Sequence, residues 1–156
     1  MIIRTAGPAD APAMADILNA IIAIGGTTAH EHPKSVEAVL TAYVTGPEVV
    51  SSVVAEHQGR VIGWQSVGRW QDEAHIGTFV APGIQASGAG GAMFAMTRAA
   101  VLAAGYHAII AVIRSDNVPG LAYYARQRFS DVVADPDFSL NDGTVVGRVV
   151  RRLDLV

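Results

Sequence analysis

Apolar residues recur in the first part of the chain at the spacing of an α-helix. They lie three or four residues apart and therefore share one helical face: Met14, Ile17, Leu18, Ile21 and Ile22. The pair Gly25-Gly26 interrupts the pattern, as glycine commonly does at a helix end. The pattern predicts an amphipathic helix over residues 11–23.

Three further segments have helical character. One begins at Ser35, a favourable N-cap, and runs for roughly ten residues towards Gly46-Pro47. Another is the small apolar run 92–104, which Gly105 ends. The last covers residues 119–127, where a preceding Asn117 can cap the helix.

Runs rich in valine and isoleucine predict strands between these helices. The pair Gln58-Gly59 separates two of them and favours a tight hairpin. The run 107–113 is almost entirely apolar, as expected of a strand buried on both faces. The predicted strands are 2–5, 49–56, 60–68, 74–80, 107–113, 130–135 and 144–155. This order of elements indicates an α/β domain with a mixed sheet.

Composition narrows the class of protein. The 156 residues are 51% hydrophobic and 16% charged, which favours one folded domain over residues 1–156. The net charge of −3 argues against nucleic acid as a main partner. With neither a signal peptide nor an apolar run long enough to span a bilayer, we expect a soluble protein with no membrane partner. The absence of cysteine excludes thiolate chemistry and fits a cytoplasmic location.

A glycine-rich stretch, Gln85-Ala86-Ser87-Gly88-Ala89-Gly90-Gly91, separates the strand 74–80 from the helix 92–104. Glycines at such a junction expose backbone N–H groups at the positive end of a helix dipole, which suits phosphate or pyrophosphate. A flexible Gly/Ala turn would have the same composition. A dinucleotide-binding Rossmann fold does not fit, because its glycine turn follows the first strand and this one follows the fourth.

Two motifs resemble the GNAT superfamily of N-acyltransferases. The first is Gln85-x-x-Gly88-x-Gly90, at the junction where that family binds the pyrophosphate of acetyl-CoA. In the second, Asn117 precedes Tyr124 by seven residues and Phe129 follows, although Arg128 stands where the family has glycine. The resemblance covers the whole chain and implies a mostly antiparallel sheet of about seven strands flanked by about four helices.

Within the superfamily the chain looks most like the phosphinothricin and methionine-sulfoximine acetyltransferases. The similar segments are Ile17-Leu18-Asn19, Gly26-Thr27-Thr28-Ala29 and Phe79-Val80-x-Pro82. That branch usually has a glutamate at the position that aligns with His75. Glu73 lies two residues earlier, on the same strand face.

The resemblance assigns residues to the binding of acetyl-CoA as co-substrate. The glycine-rich stretch (Gln85, Ala86, Ser87, Gly88, Ala89, Gly90 and Gly91) is expected to hold the pyrophosphate. The backbones of Phe79 and Val80, with Asn117, are expected to hold the pantetheine arm. A plain helix cap is the other interpretation of Asn117.

The catalytic roles follow from the same resemblance. Tyr124 is the candidate general acid near the sulfur, and a core aromatic residue is the alternative. The base is Glu73, His75 or a water molecule. The candidate acceptor-binding residues are the polar loop 27–32, Thr28 in particular, and the strand-end residues Trp64, Arg69 and Trp70. An arginine can hold the carboxylate of an amino-acid-like substrate. Arg69 as a surface residue, and Trp64 and Trp70 as core aromatics, are the alternatives.

Two functional hypotheses remain. The first is an acetyl-CoA-dependent N-acetyltransferase that acts on a small amine, with an amino acid or its analogue among the candidates. The second is a non-catalytic acyl-CoA-binding or sensor domain that has lost the glutamate. His30-Glu31-His32 alone is too little for a metal site, so no metal is expected. A homodimer is compatible with the family, although no segment identifies an interface.

Overall fold

In the part of the chain that the structure describes, seven strands form a single sheet in the order β1-β2-β3-β4-β5-β7-β6. The structure is a computed structural model that describes residues 1–84 and 88–155. The strands are β1 (Ile2–Thr5), β2 (Val49–His57), β3 (Arg60–Trp70), β4 (Glu73–Val80), β5 (Ala108–Arg114), β6 (Ser130–Asp135) and β7 (Arg148–Asp154). Neighbouring strands are antiparallel except for β4 and β5, which are parallel. The predicted mixed, mostly antiparallel sheet is confirmed.

Among the described residues, four α-helices accompany the sheet: α1 (Ala11–Ile24), α2 (Val36–Leu40), α3 (Ala89–Ala103) and α4 (Val118–Arg126). The predicted second helix is correct in place, but its regular part ends at Leu40. A π-helical turn, Thr41–Thr45, continues it, because the Gly46 N–H bonds to the Thr41 carbonyl. No helix within 1–84 or 88–155 has the length and apolar character needed to cross a membrane.

Alternating residues of β3 direct side chains to opposite faces of the sheet. Trp64 is fully buried against Met14 and Leu18 of α1, and its indole N–H donates to the Met14 carbonyl at 3.0 Å. Val67 packs with Phe94 of α3 in a separate cluster. Burial of one such large apolar side chain contributes about 1.5–3 kcal/mol to stability. Trp64 is therefore a core residue rather than part of an acceptor site.

Two predicted boundaries move for physical reasons. The last strand begins at Arg148 and not at residue 144, because Gly147 adopts a φ of +70° and its N–H bonds to the Phe138 carbonyl. The glycine-rich junction is partly helical, because α3 already begins at Ala89. The hairpin at Gln58-Gly59 is confirmed, and both residues have the positive φ that its turn requires.

Candidate active site

The site lies where β4 and β5 diverge. Ala74 pairs with Ile109 and His75 with Ile110, while β4 continues to Val80 in register with β3. The divergence opens a cavity of about 1310 Å³, whose walls include residues 77–80 of β4 and 112–114 of β5. A strand edge without a neighbour can hydrogen-bond an extended ligand through its backbone. Phe79 and Val80, predicted to pair with the pantetheine arm, lie on this wall.

The start of α3 lies on the same cavity. Gly88 precedes the helix with a φ of +83°, a conformation that favours glycine, and Gly90 and Gly91 line the wall. The first N–H groups of a helix lack acceptors within it, and the positive end of the helix dipole lies there. Ala89 belongs to this first turn. The other predicted phosphate-binding residues, Gln85, Ala86 and Ser87, lie outside the described residues.

Gly90 has a second reason to be glycine. A Cβ added to it would lie 2.6 Å from Cε1 of Tyr123. The Tyr123 hydroxyl donates to the Gly90 carbonyl at 2.8 Å, which fixes the ring against the helix. Close packing of α4 on α3, and not only the approach of a phosphate, therefore requires a small residue here.

Tyr124 combines the two interpretations made from the sequence. Only 7% of it is exposed, and its ring makes edge contacts with Tyr123 and Phe129, as a core aromatic residue does. It also lines the cavity, and its hydroxyl lies 2.9 Å from Oγ1 of Thr78. Burial raises the pKa of Tyr124. The phenol is thus protonated at neutral pH and is in contact with the cavity.

Arg128, which stands at the family's glycine position, has a φ of +70°. This left-handed conformation costs a residue with a Cβ about 1–2 kcal/mol. The backbone geometry explains why glycine is the usual residue here, and it shows that this chain keeps the geometry without the glycine.

A buried polar network on β3 and β4 was missed by sequence reasoning. The fully buried Gln65 uses its Nε2 to donate to Thr78 at 2.9 Å and to Tyr123 at 3.0 Å. The Oε1 of Gln65 is buried without a hydrogen-bond partner among the described residues. The available signal was an amide in the middle of a strand, between the apolar residues Trp64 and Val67, since buried polar groups usually serve a network.

The two candidate bases lie side by side, as predicted for one strand face. His75 lines the cavity, and its ring makes an edge contact with Trp70 at 5.3 Å. Its Nε2 lies 3.6 Å from a carboxylate oxygen of Glu73, which is longer than a hydrogen bond. That nitrogen is buried and has no hydrogen-bond partner within the described ranges. Glu73 is half exposed and is not among the cavity-lining residues described.

The candidate acceptor residues of β3 behave differently from each other. Arg69 forms an ion pair with Glu48, with Nε 3.0 Å from Oε2, so its charge is already matched by a carboxylate. Trp70 is 60% exposed and lines the cavity, so the alternative of a core aromatic is wrong for it. Both residues line the cavity and belong to β3, which extends to Trp70 rather than ending at residue 68 as predicted.

The loop between α1 and α2 crosses the cavity and is fastened to the end of β5. Nδ2 of Asn117 donates to the Thr27 carbonyl at 3.0 Å, and Nη1 of Arg114 donates to the Thr28 carbonyl at 2.9 Å. The Oδ1 of Asn117 accepts from the Gly120 N–H and caps α4. The guanidinium of Arg114 also donates two hydrogen bonds to the carboxylate of Asp116. The cap interpretation of Asn117 is confirmed, and Arg114 is a site residue that the sequence reasoning did not find.

His30 lies in this loop, on the cavity wall. Its Nε2 is 3.1 Å from the Tyr43 hydroxyl, and burial, together with the charge of Lys34, lowers the pKa of His30. The neighbouring Glu31 instead accepts from the backbone N–H groups of Asn141 and Asp142. Residues 1–84 and 88–155 contain no group of three His, Asp or Glu side chains able to hold a metal ion.

The sequence matches the profile of the Acetyltransferase (GNAT) family over residues 17–129. The chain belongs to this family. The predicted enzyme class, acetyltransferase, is therefore confirmed. The matched region extends from α1 through β4, the start of α3 and Tyr124 to Phe129, so it contains the whole divergence between β4 and β5. No match is found among curated proteins.

Solved GNAT structures share the fold at low sequence identity. The protein yncA from Salmonella typhimurium, solved with its cofactor acetyl-CoA, has a TM-score of 0.85 and 22% identity over 100% of this chain and 94% of its own. A ribosomal-protein-alanine N-acetyltransferase from Brucella melitensis has a TM-score of 0.86 and 20% identity, covering 99% of each chain. A phosphinothricin acetyltransferase from Sinorhizobium meliloti, in complex with acetyl-CoA, has a TM-score of 0.84 and 19% identity, covering 98% of this chain and 87% of its own. These likenesses support the GNAT fold without favouring one branch.

Proposed function

We propose that this GNAT acetyltransferase transfers the acetyl group of acetyl-CoA directly to the amine of a small molecule. The observation that carries the proposal is the divergence of β4 from β5, which brings Phe79, Val80 and Tyr124 to one cavity. Two solved relatives with this fold contain acetyl-CoA, which supports the same donor here.

The donor lies between β4 and β5 in this proposal. Its pantetheine arm bonds to the β4 backbone at Phe79 and Val80, and its pyrophosphate lies at the first turn of α3, next to Gly88, Gly90 and Gly91. The helix terminus supplies positive potential without a basic side chain. This arrangement suits a chain with a net charge of −3, which has no general attraction for anions.

Tyr124 serves as the general acid. As the acceptor nitrogen bonds to the carbonyl carbon, the carbon–sulfur bond breaks, and the phenol gives its proton to the departing sulfur. Burial keeps the phenol protonated before the reaction, while its hydrogen bond with Thr78 favours the anion that remains afterwards.

His75 is the better placed of the two candidate bases, because its ring lines the cavity, while Glu73 is not among the cavity-lining residues described. It accepts the proton of the amine directly or through a water molecule. Glu73, 3.6 Å away, then stabilises the protonated ring. Thr28 and Trp70 contact the acceptor at this end of the cavity.

The test is thiol release from acetyl-CoA with free amino acids, methionine sulfoximine, phosphinothricin and polyamines as acceptors. We expect release with one acceptor class, and a loss of about a hundredfold or more in kcat for Tyr124→Phe, the usual size of a general-acid contribution. Tyr106→Phe is the matched control, because Tyr106 packs against the core and is not among the cavity-lining residues. Binding of acetyl-CoA with no release for any acceptor would instead support a non-catalytic acyl-CoA-binding domain.

A further inference from the structure

The hydroxyl of Thr78 lies between a fixed donor and the candidate acid. It forms hydrogen bonds with Nε2 of Gln65 at 2.9 Å and with the hydroxyl of Tyr124 at 2.9 Å, and it also interacts with the Tyr123 hydroxyl. A hydroxyl group has one hydrogen to donate and two lone pairs that accept. The direction of each bond therefore decides where the phenol hydrogen of Tyr124 can point.

The orientation of the Gln65 amide settles the first direction. As placed, its two N–H groups reach Thr78 and Tyr123, and one oxygen stays without a partner among the described residues. Rotating the amide by 180° would turn both N–H groups away from Thr78 and Tyr123, towards the buried position where Oε1 now has no hydrogen-bond partner among the described residues. Because unsatisfied buried donors are costly, the orientation that uses both is the favoured one. Gln65 thus donates to Thr78.

The second direction follows from the first. Tyr123 accepts from Gln65 and passes its own hydrogen to the Gly90 carbonyl at 2.8 Å, which completes that branch. Thr78 has accepted from Gln65 and needs an acceptor for its own hydrogen. The Tyr123 oxygen also interacts with the Thr78 hydroxyl but already accepts from Gln65, so the Tyr124 oxygen at 2.9 Å is the favoured acceptor. If Tyr124 donated to Thr78 instead, the threonine hydrogen would be left with the Tyr123 oxygen, which already accepts from Gln65.

We propose that Thr78, oriented by Gln65, is a positioning residue that donates to the Tyr124 oxygen and leaves the phenol hydrogen free to point into the cavity. The inference rests on the proposed function, in which that hydrogen is transferred to the departing sulfur. The proton passes from the Tyr124 oxygen to sulfur as the carbon–sulfur bond breaks with its electron pair on sulfur. The phenolate keeps the hydrogen bond from Thr78 and regains a proton from water after the product leaves.

The test uses four side chains at position 78. Valine matches threonine in shape and lacks its hydroxyl, while serine and alanine differ from each other only in the hydroxyl. We expect Thr78→Val and Thr78→Ala to lose about tenfold in kcat, the effect of one lost hydrogen bond in the transition state. Thr78→Ser should retain activity within about threefold of the native protein. The KM for acetyl-CoA should change little in all three variants.

A second background separates positioning from packing. In the Tyr124→Phe background, Thr78→Val should cause no further loss in kcat, because there is no phenol hydrogen left to direct. An equal loss in both backgrounds, or equal rates for Thr78→Ser and Thr78→Ala, would overturn the inference. The serine and alanine pair decides the question if the valine variant does not fold.

The failure of this inference differs from the failure of the proposed function. Full activity of Tyr124→Phe would remove Tyr124 as the acid and the inference with it. A large loss for Tyr124→Phe with native rates for Thr78→Val and Thr78→Ala would overturn the role of Thr78 alone. Thiol release to water, measured without an amine, gives the same readout independently of the acceptor, because the departing sulfur is the same.

Discussion

On the α3 face of β4, the hydroxyl groups of Thr78, Tyr123 and Tyr124 belong to one hydrogen-bonded network that contains the fully buried Gln65. On the other face, His75 lies next to the exposed Trp70, and its Nε2 has no hydrogen-bond partner among the described residues. Both faces border the same cavity. They differ in how firmly their polar groups are held.

The difference matches the two tasks of an acyltransferase. Departure of a thiol is the same event for every acceptor, so a rigid network of strand residues suits it. Acceptor recognition varies between enzymes, and residues on a loop can change without disturbing the core. The loop between α1 and α2 fits this second role. Arg114 and Asn117 bind its Thr28 and Thr27 through backbone carbonyls, so these hydrogen bonds do not depend on the side chains of the loop.

The largest stability effect is expected on the rigid side. Gly90→Ala places a methyl group 2.6 Å from the Tyr123 ring, which two hydrogen bonds hold in place. We expect a loss of about 1–3 kcal/mol in the free energy of unfolding, measured by urea denaturation. Gly91→Ala is the matched control, since its nearest neighbour is Nε2 of Gln127 at 3.8 Å. Equal stability of the two variants would contradict the rigid packing of α4 on α3.

A smaller loss of stability is expected at Asn117, which binds the loop between α1 and α2. Asn117→Ala removes the cap of α4 and the hydrogen bond to Thr27, and should cost about 1 kcal/mol in unfolding free energy. Asn117→Asp keeps a capping oxygen but has no N–H group for Thr27. It should therefore retain most of the stability and share with alanine a raised KM for the acceptor. Equal destabilisation by both variants would show that the cap is not the source of the effect.

Much of the fold could be predicted because local patterns and tertiary packing agree. The helix 11–23, the hairpin at Gln58-Gly59 and the strand 107–113 are close to the observed elements, although Val112 of that strand is exposed rather than buried. The last strand was predicted too long because Val145 and Val146 have strand propensity, while the positive φ of Gly147 prevents them from continuing β7. The strand propensity of single residues does not take such a backbone constraint into account.

The candidate site was predictable only where a motif marks it. Tyr124 and Asn117 were found by their spacing, and both line the cavity. Thr78, which bonds to Tyr124, and Gln65, which bonds to Thr78, are far from Tyr124 in sequence. Arg114 lies near Asn117 in sequence, but its partner Thr28 is far away. Each of the three alone has an ordinary alternative as a strand or surface residue. The roles of these residues depend on the register of the strands and on the path of the loop between α1 and α2. No local pattern in a single sequence encodes either of these features.

The smallest expected effect is the pH dependence that His30 gives to the loop side. Burial, together with Lys34, lowers the pKa of His30 below its ordinary value of 6.5. The unfolded chain therefore binds a proton more readily than the folded one, so this contribution to stability is complete above pH 6.5 and is lost as the pH falls towards the folded-state pKa.

Urea denaturation of the native protein and of His30→Gln tests this dependence. Between pH 7.5 and pH 5.5 the free energy of unfolding should fall more for the native protein than for His30→Gln. The replacement does not titrate, and its amide can still accept the Tyr43 hydroxyl hydrogen. An identical loss in both proteins would mean that His30 is equally easy to protonate in the folded and unfolded chains, and that the loop side is no more pH-sensitive than the network around Gln65.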